Sequence, residues 1–152
     1  MTGALAHERL LGLWEGEGTG HYPTIDPFSY RETIEVVPVA DKPLARWLSS
    51  SSDALSGAPL HGDTGYVRSS GDSVELVLAH AFGITEIATA QPDRSGVLEF
   101  ESRSLSLAPT AKSVTATRRV LRVEADVLEY DFWMAAVGVE MTHHLHAVLH
   151  RA

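Results

Sequence analysis

Four of the eight histidines in this 152-residue chain fall within its last ten residues, in the segment MTHHLHAVLHRA. They are His143, His144, His146 and His150. A neutral imidazole binds haem iron or zinc through one ring nitrogen, so histidines grouped in this way are candidates for a metal or cofactor site. The alternatives are a tag left by cloning and an ordinary strand whose histidines are solvated.

The conformation of this segment decides which histidines can act together. In a β-strand, His144 and His146 point to one face and His143 points to the other, and only one face can look into a pocket. In a helix, His146 and His150 would be paired at i and i+4, as in a zinc site. The helical zinc site is the poorer interpretation because no further carboxylate stands beside the pair. The apolar residues between the histidines also favour a packed strand over a tag.

Composition narrows the chemistry that such a site can support. The chain has no cysteine, which excludes disulfides, iron–sulfur clusters and thiolate-ligated haem, so a metal must use His, carboxylate, Tyr or Met. The net charge of −8 argues against a nucleic-acid partner, and the small basic group Arg118, Arg119 and Arg122 does not reverse this. The apolar runs are far too short for a membrane span, and the N-terminal segment lacks the features of a secretory signal. We therefore expect a cytoplasmic protein with no membrane partner.

The elements that must position these residues are strands. Alternating segments place Ile34 with Val36, and Val74 with Leu76 and Leu78, on one face, and turn sequences interrupt such segments at short intervals. The N-terminal LAHERLLGLW predicts a short helix with core contacts from Leu5, Leu10 and Leu13. The length favours a single domain over residues 1–152. We predict an all-β, antiparallel fold, most simply a closed barrel, in which SSSSDALSG is a mobile hairpin loop.

A glycine-spaced segment near the N-terminus, GLWEGEGTGHYPTI, is the second informative stretch. A phosphate-binding loop is a poor interpretation because carboxylates fill the gaps between the glycines and no helix follows. Glycines on one face of a strand instead allow a sharp bend or the close approach of another group. Trp14 shares their face, and we predict that it is a core anchor at one end of the barrel.

This segment resembles the Gly-x-Trp-x-Gly-x-Gly and Tyr-Pro-Thr motifs of the nitrobindins, which are haem-binding β-barrels similar to fatty-acid-binding proteins. The resemblance continues in order through PLHGDTGYVR, ELVLAHAFGITEI, AKSVTATRRVLRV and MAAVGVEMTHHLHAVLHR, and so covers nearly the whole chain. The SSSSDALSGAPLHG segment departs from the family pattern. The resemblance implies a calycin-like, antiparallel closed barrel of about ten strands, which agrees with the strand pattern.

The resemblance also implies an activity and a cofactor. A haem b at the mouth of the barrel would be held by one proximal histidine, its ferric iron would convert peroxynitrite to nitrate, and it would bind nitric oxide reversibly. The protein would then be a peroxynitrite isomerase, or chiefly a nitric oxide carrier or sensor, and the resemblance names no catalytic group apart from the haem iron. Its expected partners are these small molecules, and a homodimer is compatible with the resemblance.

The resemblance places three residues at the haem. His144 corresponds to the proximal axial iron ligand, Thr24 to the threonine on the distal side, and Lys112 to a haem contact that would pair with a propionate. Thr24 and Lys112 can equally be ordinary turn residues. Elsewhere we expect His80 to be a core histidine with a hydrogen-bond partner, and His7 and His61 to lie on the surface.

Two functions of other classes compete with the haem enzyme. The barrel interior can enclose a fatty acid or another apolar small molecule without a metal. A structural domain with a degenerate site would bind neither haem nor lipid.

Overall fold

Ten antiparallel strands form one closed barrel in a computed structural model that describes residues 5–152. Each strand pairs with its neighbours in the chain, and β1 closes the barrel by pairing with β10. The strands are β1 Gly12–Tyr22, β2 Ile25–Pro38, β3 Leu44–Asp53, β4 Pro59–Ser70, β5 Ser73–His80, β6 Ile84–Ala90, β7 Leu98–Leu107, β8 Val114–Glu124, β9 Val127–Ala136 and β10 Val139–Arg151. The predicted fold class is confirmed.

A short 3₁₀ helix, Ala6–Leu10, precedes β1 and closes one end of the barrel. Leu10 is fully buried, and its carbonyl accepts a 2.8 Å hydrogen bond from the indole nitrogen of the fully buried Trp14. Trp14 is therefore the core anchor that the sequence predicted. The core contacts predicted for Leu5 and Leu13 are wrong, because both side chains are more than one third exposed. Among residues 5–152, no helix has the length and apolar character needed to cross a membrane.

The barrel interior follows the alternation of the strands. The members of each predicted core pair or triplet are buried, including Ile34 and Val36 on β2 and Val74, Leu76 and Leu78 on β5. Such strands present every second side chain to one face, so a closed sheet directs all of these faces inward. The inward side chains that the alternation predicted therefore belong to the main apolar core, next to the 3₁₀ helix.

The glycines of β1 let neighbouring groups approach the backbone closely. A Cβ added at Gly18 would lie 2.4 Å from Cζ of Tyr30, and one added at Gly20 would lie 2.3 Å from Cζ of Phe28. At Gly16 the obstacle is the backbone carbonyl oxygen of Val148, 2.1 Å away. The close approach that the sequence predicted for these glycines is confirmed. The rings that pack on β1 extend toward the open end of the barrel.

The serine-rich segment is a strand and not the predicted mobile loop. Ser49 to Ser52 belong to β3 and pair on both sides with β2 and β4. Ser49 is buried. Only residues 54–58 form the connection to β4. Serine is compatible with a strand wherever neighbouring strands supply partners for its backbone hydrogen bonds. The low complexity of this segment therefore did not indicate mobility.

Candidate functional site

The candidate site lies at the open end of the barrel, opposite the 3₁₀ helix. The turns between β1 and β2, β3 and β4, β5 and β6, β7 and β8, and β9 and β10 all fall at this end, which we call the mouth. A second apolar cluster lies here, consisting of the buried residues Tyr22, Ile84, Val114 and Ala136 with Leu105, Ala111, Met134 and Val139 packed against them. The mouth therefore offers an apolar surface separate from the main core.

A β-bulge directs His144 into this mouth. On β10, His143 pairs with Trp133 of β9 and Leu145 pairs with Phe132, so His144 is the extra residue between them. A bulge breaks the strict alternation of side chains and re-aims the inserted residue. The His144 ring consequently lies among Tyr22, Phe28 and Phe132, at centroid distances of 5.4, 6.2 and 6.3 Å.

One hydrogen bond fixes the orientation and tautomer of the His144 ring. Its Nδ1 lies 2.9 Å from the backbone carbonyl oxygen of His21, and Nδ1–H must donate because a carbonyl only accepts. Burial is the largest effect on the His144 pKa and lowers it, although the hydrogen bond to His21 opposes this. The ring is therefore neutral near pH 7, with the lone pair of Nε2 available to a ligand.

Tyr22 anchors the strand that carries the His21 carbonyl. Its hydroxyl donates to the carbonyl of Met134 at 3.0 Å and accepts from the backbone N–H of Ala136 at 3.1 Å. This side chain thereby reaches across β10 and fastens the end of β1 to β9. Because His144 lies on the strand between them, the same bonds limit its movement.

The other histidines of β10 point outward. His143 Nε2 and His146 Nδ1 lie 2.8 and 2.9 Å from the same oxygen of Asp131, on the outer face of β9. The prediction that His146 shares a face with His144 is wrong, because the bulge shifts the alternation by one residue. His143 does lie opposite His144, as predicted.

Thr24 and Lys112 are both exposed residues of mouth turns. Thr24 lies in the turn between β1 and β2, two residues after Tyr22. Lys112 lies in the connection between β7 and β8, directly after Ala111 of the apolar mouth cluster. The fold brings both residues to the same end of the barrel as His144, and their contacts with a cofactor stay predictions.

A buried polar network below the mouth was not predicted from the sequence. Glu86 accepts hydrogen bonds from Thr117, from Arg119 at 2.6 Å and from His80 Nε2 at 2.8 Å. Burial raises the pKa of Glu86, but Arg119 and these hydrogen bonds outweigh it and bring the pKa to about 2. The available signal was its position, since Glu86 alternates with the apolar residues Ile84 and Ala88 on β6.

Three further histidines lie on other elements of the barrel. The His80 side chain is 8% exposed and has a hydrogen-bond partner, as predicted. His61 is half-buried, because its ring stacks on His80 and packs at a tilt against Phe82. His7 is almost fully buried, with Nδ1 2.7 Å from the hydroxyl of Ser69. The surface positions predicted for His7 and His61 are therefore wrong.

The residues at the mouth fit haem. A neutral imidazole whose Nδ1–H is held by a backbone carbonyl presents Nε2 as a metal ligand, and such an outer partner is typical of metal-binding histidines. The aromatic and aliphatic side chains around it supply an apolar surface for a flat macrocycle. Fold and site together define a ligand-binding β-barrel in which His144 meets an apolar surface at the open end.

Comparison with known proteins identifies the family. The THAP4-like, heme-binding beta-barrel domain family matches residues 4–151, and the chain belongs to this family, whose cofactor is haem. The chain is 46% identical over 141 residues to Peroxynitrite isomerase 1 of Rhodococcus jostii, covering 92% of this chain and 79% of that protein. It is 45% identical over 146 residues to Peroxynitrite isomerase 2 of Mycobacterium marinum, covering 93% and 90%.

A solved structure is similar along nearly the whole chain. The crystal structure of Rv2717c from M. tuberculosis has a TM-score of 0.89 and 45% sequence identity, with 98% of each chain covered. The fold and the sequence of this chain are therefore both similar to those of Rv2717c.

Proposed function

We propose that the protein is a haem-dependent peroxynitrite isomerase in which His144 is the proximal axial ligand of haem b. The observation that carries the proposal is the His144 ring, which is half-buried in an aromatic mouth with Nδ1 held by the His21 carbonyl. The family model and the names of the relatives support the same activity.

A bound haem would supply a Lewis-acidic ferric iron for a small anion. His144 would hold this group through Nε2, and the hydrogen bond to the His21 carbonyl fixes the orientation of the ring. Phe28, Phe132 and Tyr22 surround the imidazole with aromatic rings. These side chains would limit the access of water to a small anion bound at the site.

Two loop residues complete the proposed haem site. Lys112 would pair with a propionate through a charge-assisted contact, and Thr24 would hydrogen-bond a small molecule on the open side of the haem. Both are exposed at the mouth, which leaves them free to make these contacts. Nitric oxide would bind reversibly at the same open position.

We further propose a single domain over residues 1–152, a cytoplasmic location and no nucleic-acid or membrane partner. The net charge of −8 supports the absence of a nucleic-acid partner, since phosphate backbones are usually met by basic surfaces. A homodimer is compatible with this proposal.

Haem reconstitution of wild type, His144→Ala and His146→Ala tests the assignment. His146 is the matched control because it lies two residues further along β10 but points outward to Asp131. We expect a Soret band and an increased yield of nitrate from peroxynitrite for wild type and His146→Ala, and loss of both for His144→Ala. An unchanged Soret band in His144→Ala would disprove the ligand assignment. A wild-type protein that binds a fatty acid but no haem would disprove the function.

A further inference from the structure

Three potential metal ligands converge at the mouth end of β4 and β5, two strands that do not pair with the strand of His144. His61 Nε2 lies 3.2 Å from His80 Nδ1 and 3.3 Å from Asp63 Oδ2, and the last two atoms are 3.8 Å apart. His61 and Asp63 are two residues apart on β4, so both side chains point to the same face. Asp63 is paired directly with His80 of β5, which brings the third ligand beside them.

These separations match the coordination sphere of a small divalent cation. Zn²⁺ binds histidine nitrogen and carboxylate oxygen at about 2.0–2.2 Å, and tetrahedral geometry then separates neighbouring ligand atoms by about 3.3–3.6 Å. The observed separations of 3.2, 3.3 and 3.8 Å bracket this range. The three atoms could therefore bind one ion with small side-chain adjustments.

Hydrogen bonds to residues outside the cluster orient two of the three ligands for metal binding. His80 Nε2–H donates to Glu86 at 2.8 Å, which leaves the His80 Nδ1 lone pair directed toward His61 and Asp63. The Trp47 indole donates to Asp63 Oδ1 at 2.6 Å and leaves Oδ2 for the ion. A carboxylate behind a metal-binding histidine is a common feature of zinc sites, because it fixes the ring and raises its basicity.

The local charge favours a cation. Asp63 and Glu86 are both buried carboxylates, whereas Arg119 is the cation that contacts Glu86, at 2.6 Å. Two carboxylates against one guanidinium leave a net negative charge beside two histidines.

We propose that His61, His80 and Asp63 form a second metal site, which binds a divalent first-row transition ion such as Zn²⁺ without using His144. A fourth coordination position would be left for water. This site lies beyond the proposed isomerase function, since none of its ligands is the proposed haem ligand. Without an ion, the same atoms would form a network in which His61 Nε2–H is shared between Asp63 and His80.

Calorimetric titration of Zn²⁺ into the full haem-free chain tests the proposal. We expect one ion per chain. Loss of a ligand in His61→Asn, His80→Asn or Asp63→Asn should weaken binding by more than 100-fold. Glu86→Gln, which removes only the outer carboxylate, should weaken it by about 10–100-fold. Titration of the haem-free chain with Co²⁺ should produce the visible absorption of a four-coordinate site.

The double variant His143→Asn/His146→Asn is the matched control. These two histidines also flank a carboxylate, Asp131, but both contact the same oxygen and lie on the outer face. Binding should be unchanged in this variant and in His144→Ala, with circular dichroism reporting folding throughout. No Zn²⁺ binding by wild type, or binding that persists in folded His61→Asn and His80→Asn variants, would overturn the proposal and leave a proton-sharing network.

Discussion

The half-buried Glu32, whose carboxyl group points into the barrel, should make the stability of this barrel fall as pH rises. Its Oε1 accepts a hydrogen bond from the Tyr130 hydroxyl, which in turn accepts one from the Tyr30 hydroxyl at 2.7 Å. Burial is the largest effect on the Glu32 pKa and raises it to about 8, although the Tyr130 hydrogen bond opposes this. The folded protein thus retains a proton that the unfolded chain releases at lower pH.

The size of this effect follows from proton linkage. An unfolded glutamate ionises near pH 4.5, so between that pH and about 8 the unfolded state binds fewer protons than the folded state at this site. The Glu32 contribution to the free energy of unfolding should therefore decrease by up to about 1.4 kcal/mol per pH unit, or by about 2.5 kcal/mol from pH 5 to pH 7. Above pH 8 the contribution should be constant.

Glu32→Gln removes this titration while nearly preserving the shape of the side chain. We expect the stability of the variant relative to wild type to rise between pH 5 and pH 8 and then to level off. The measurement is urea unfolding followed by circular dichroism at a series of pH values, with all proteins in the same haem state. Glu35→Gln is the control, because Glu35 lies on the same strand but is exposed. A difference between Glu32→Gln and wild type that does not change with pH would refute the reasoning.

Two further predictions concern packing. Gly18→Ala should destabilise the protein by about 1–3 kcal/mol, because its Cβ would lie 2.4 Å from the Tyr30 ring. Thr19→Ala, on the outer face of the same strand, should change the stability little. Equal urea midpoints for these two variants would contradict the close approach of Tyr30 to Gly18. Leu10→Ala should cost about 2–5 kcal/mol in the free energy of unfolding, because Leu10 is fully buried, and the exposed Leu5→Ala should cost less than about 0.5 kcal/mol. Equal losses in these two variants would show that the 3₁₀ helix does not close the barrel through Leu10.

The strand pattern was predictable because it depends on neighbours two residues apart. Alternation gave the inward faces of β2 and β5 and the burial of Trp14. The N-terminal segment was less predictable, since the 3₁₀ helix buries Leu10 but leaves Leu5 exposed. Short helices take their orientation from what they pack on, and the sequence of the segment does not contain that information.

The candidate haem ligand shows where alternation fails. Strict strand geometry places His144 and His146 together, but the bulge between His143 and Leu145 separates them. A bulge is set by the register against β9, which is a property of two strands and not of one. The family resemblance nevertheless singled out His144, and that assignment stays a prediction.

The partners of the inward carboxylates Glu32 and Glu86 are determined by closure of the barrel. Glu32 and Glu86 each alternate with apolar residues on their strands, a weak signal that either side chain points inward. Their partners Tyr130 and Arg119 lie 98 and 33 residues away in the chain. No local pattern in either strand indicated which side chain would meet each carboxylate.

The sequence by itself determined the class of fold, the faces of most strands and, through its motifs, the resemblance to haem-binding barrels, because these depend on spacing along the chain. The tertiary structure decided that His144 enters an aromatic mouth while its neighbours face Asp131. It also decided that His61, Asp63 and His80 converge at the mouth end of β4 and β5. Those relationships join residues on different strands, and only closure and register bring their side chains within bonding distance.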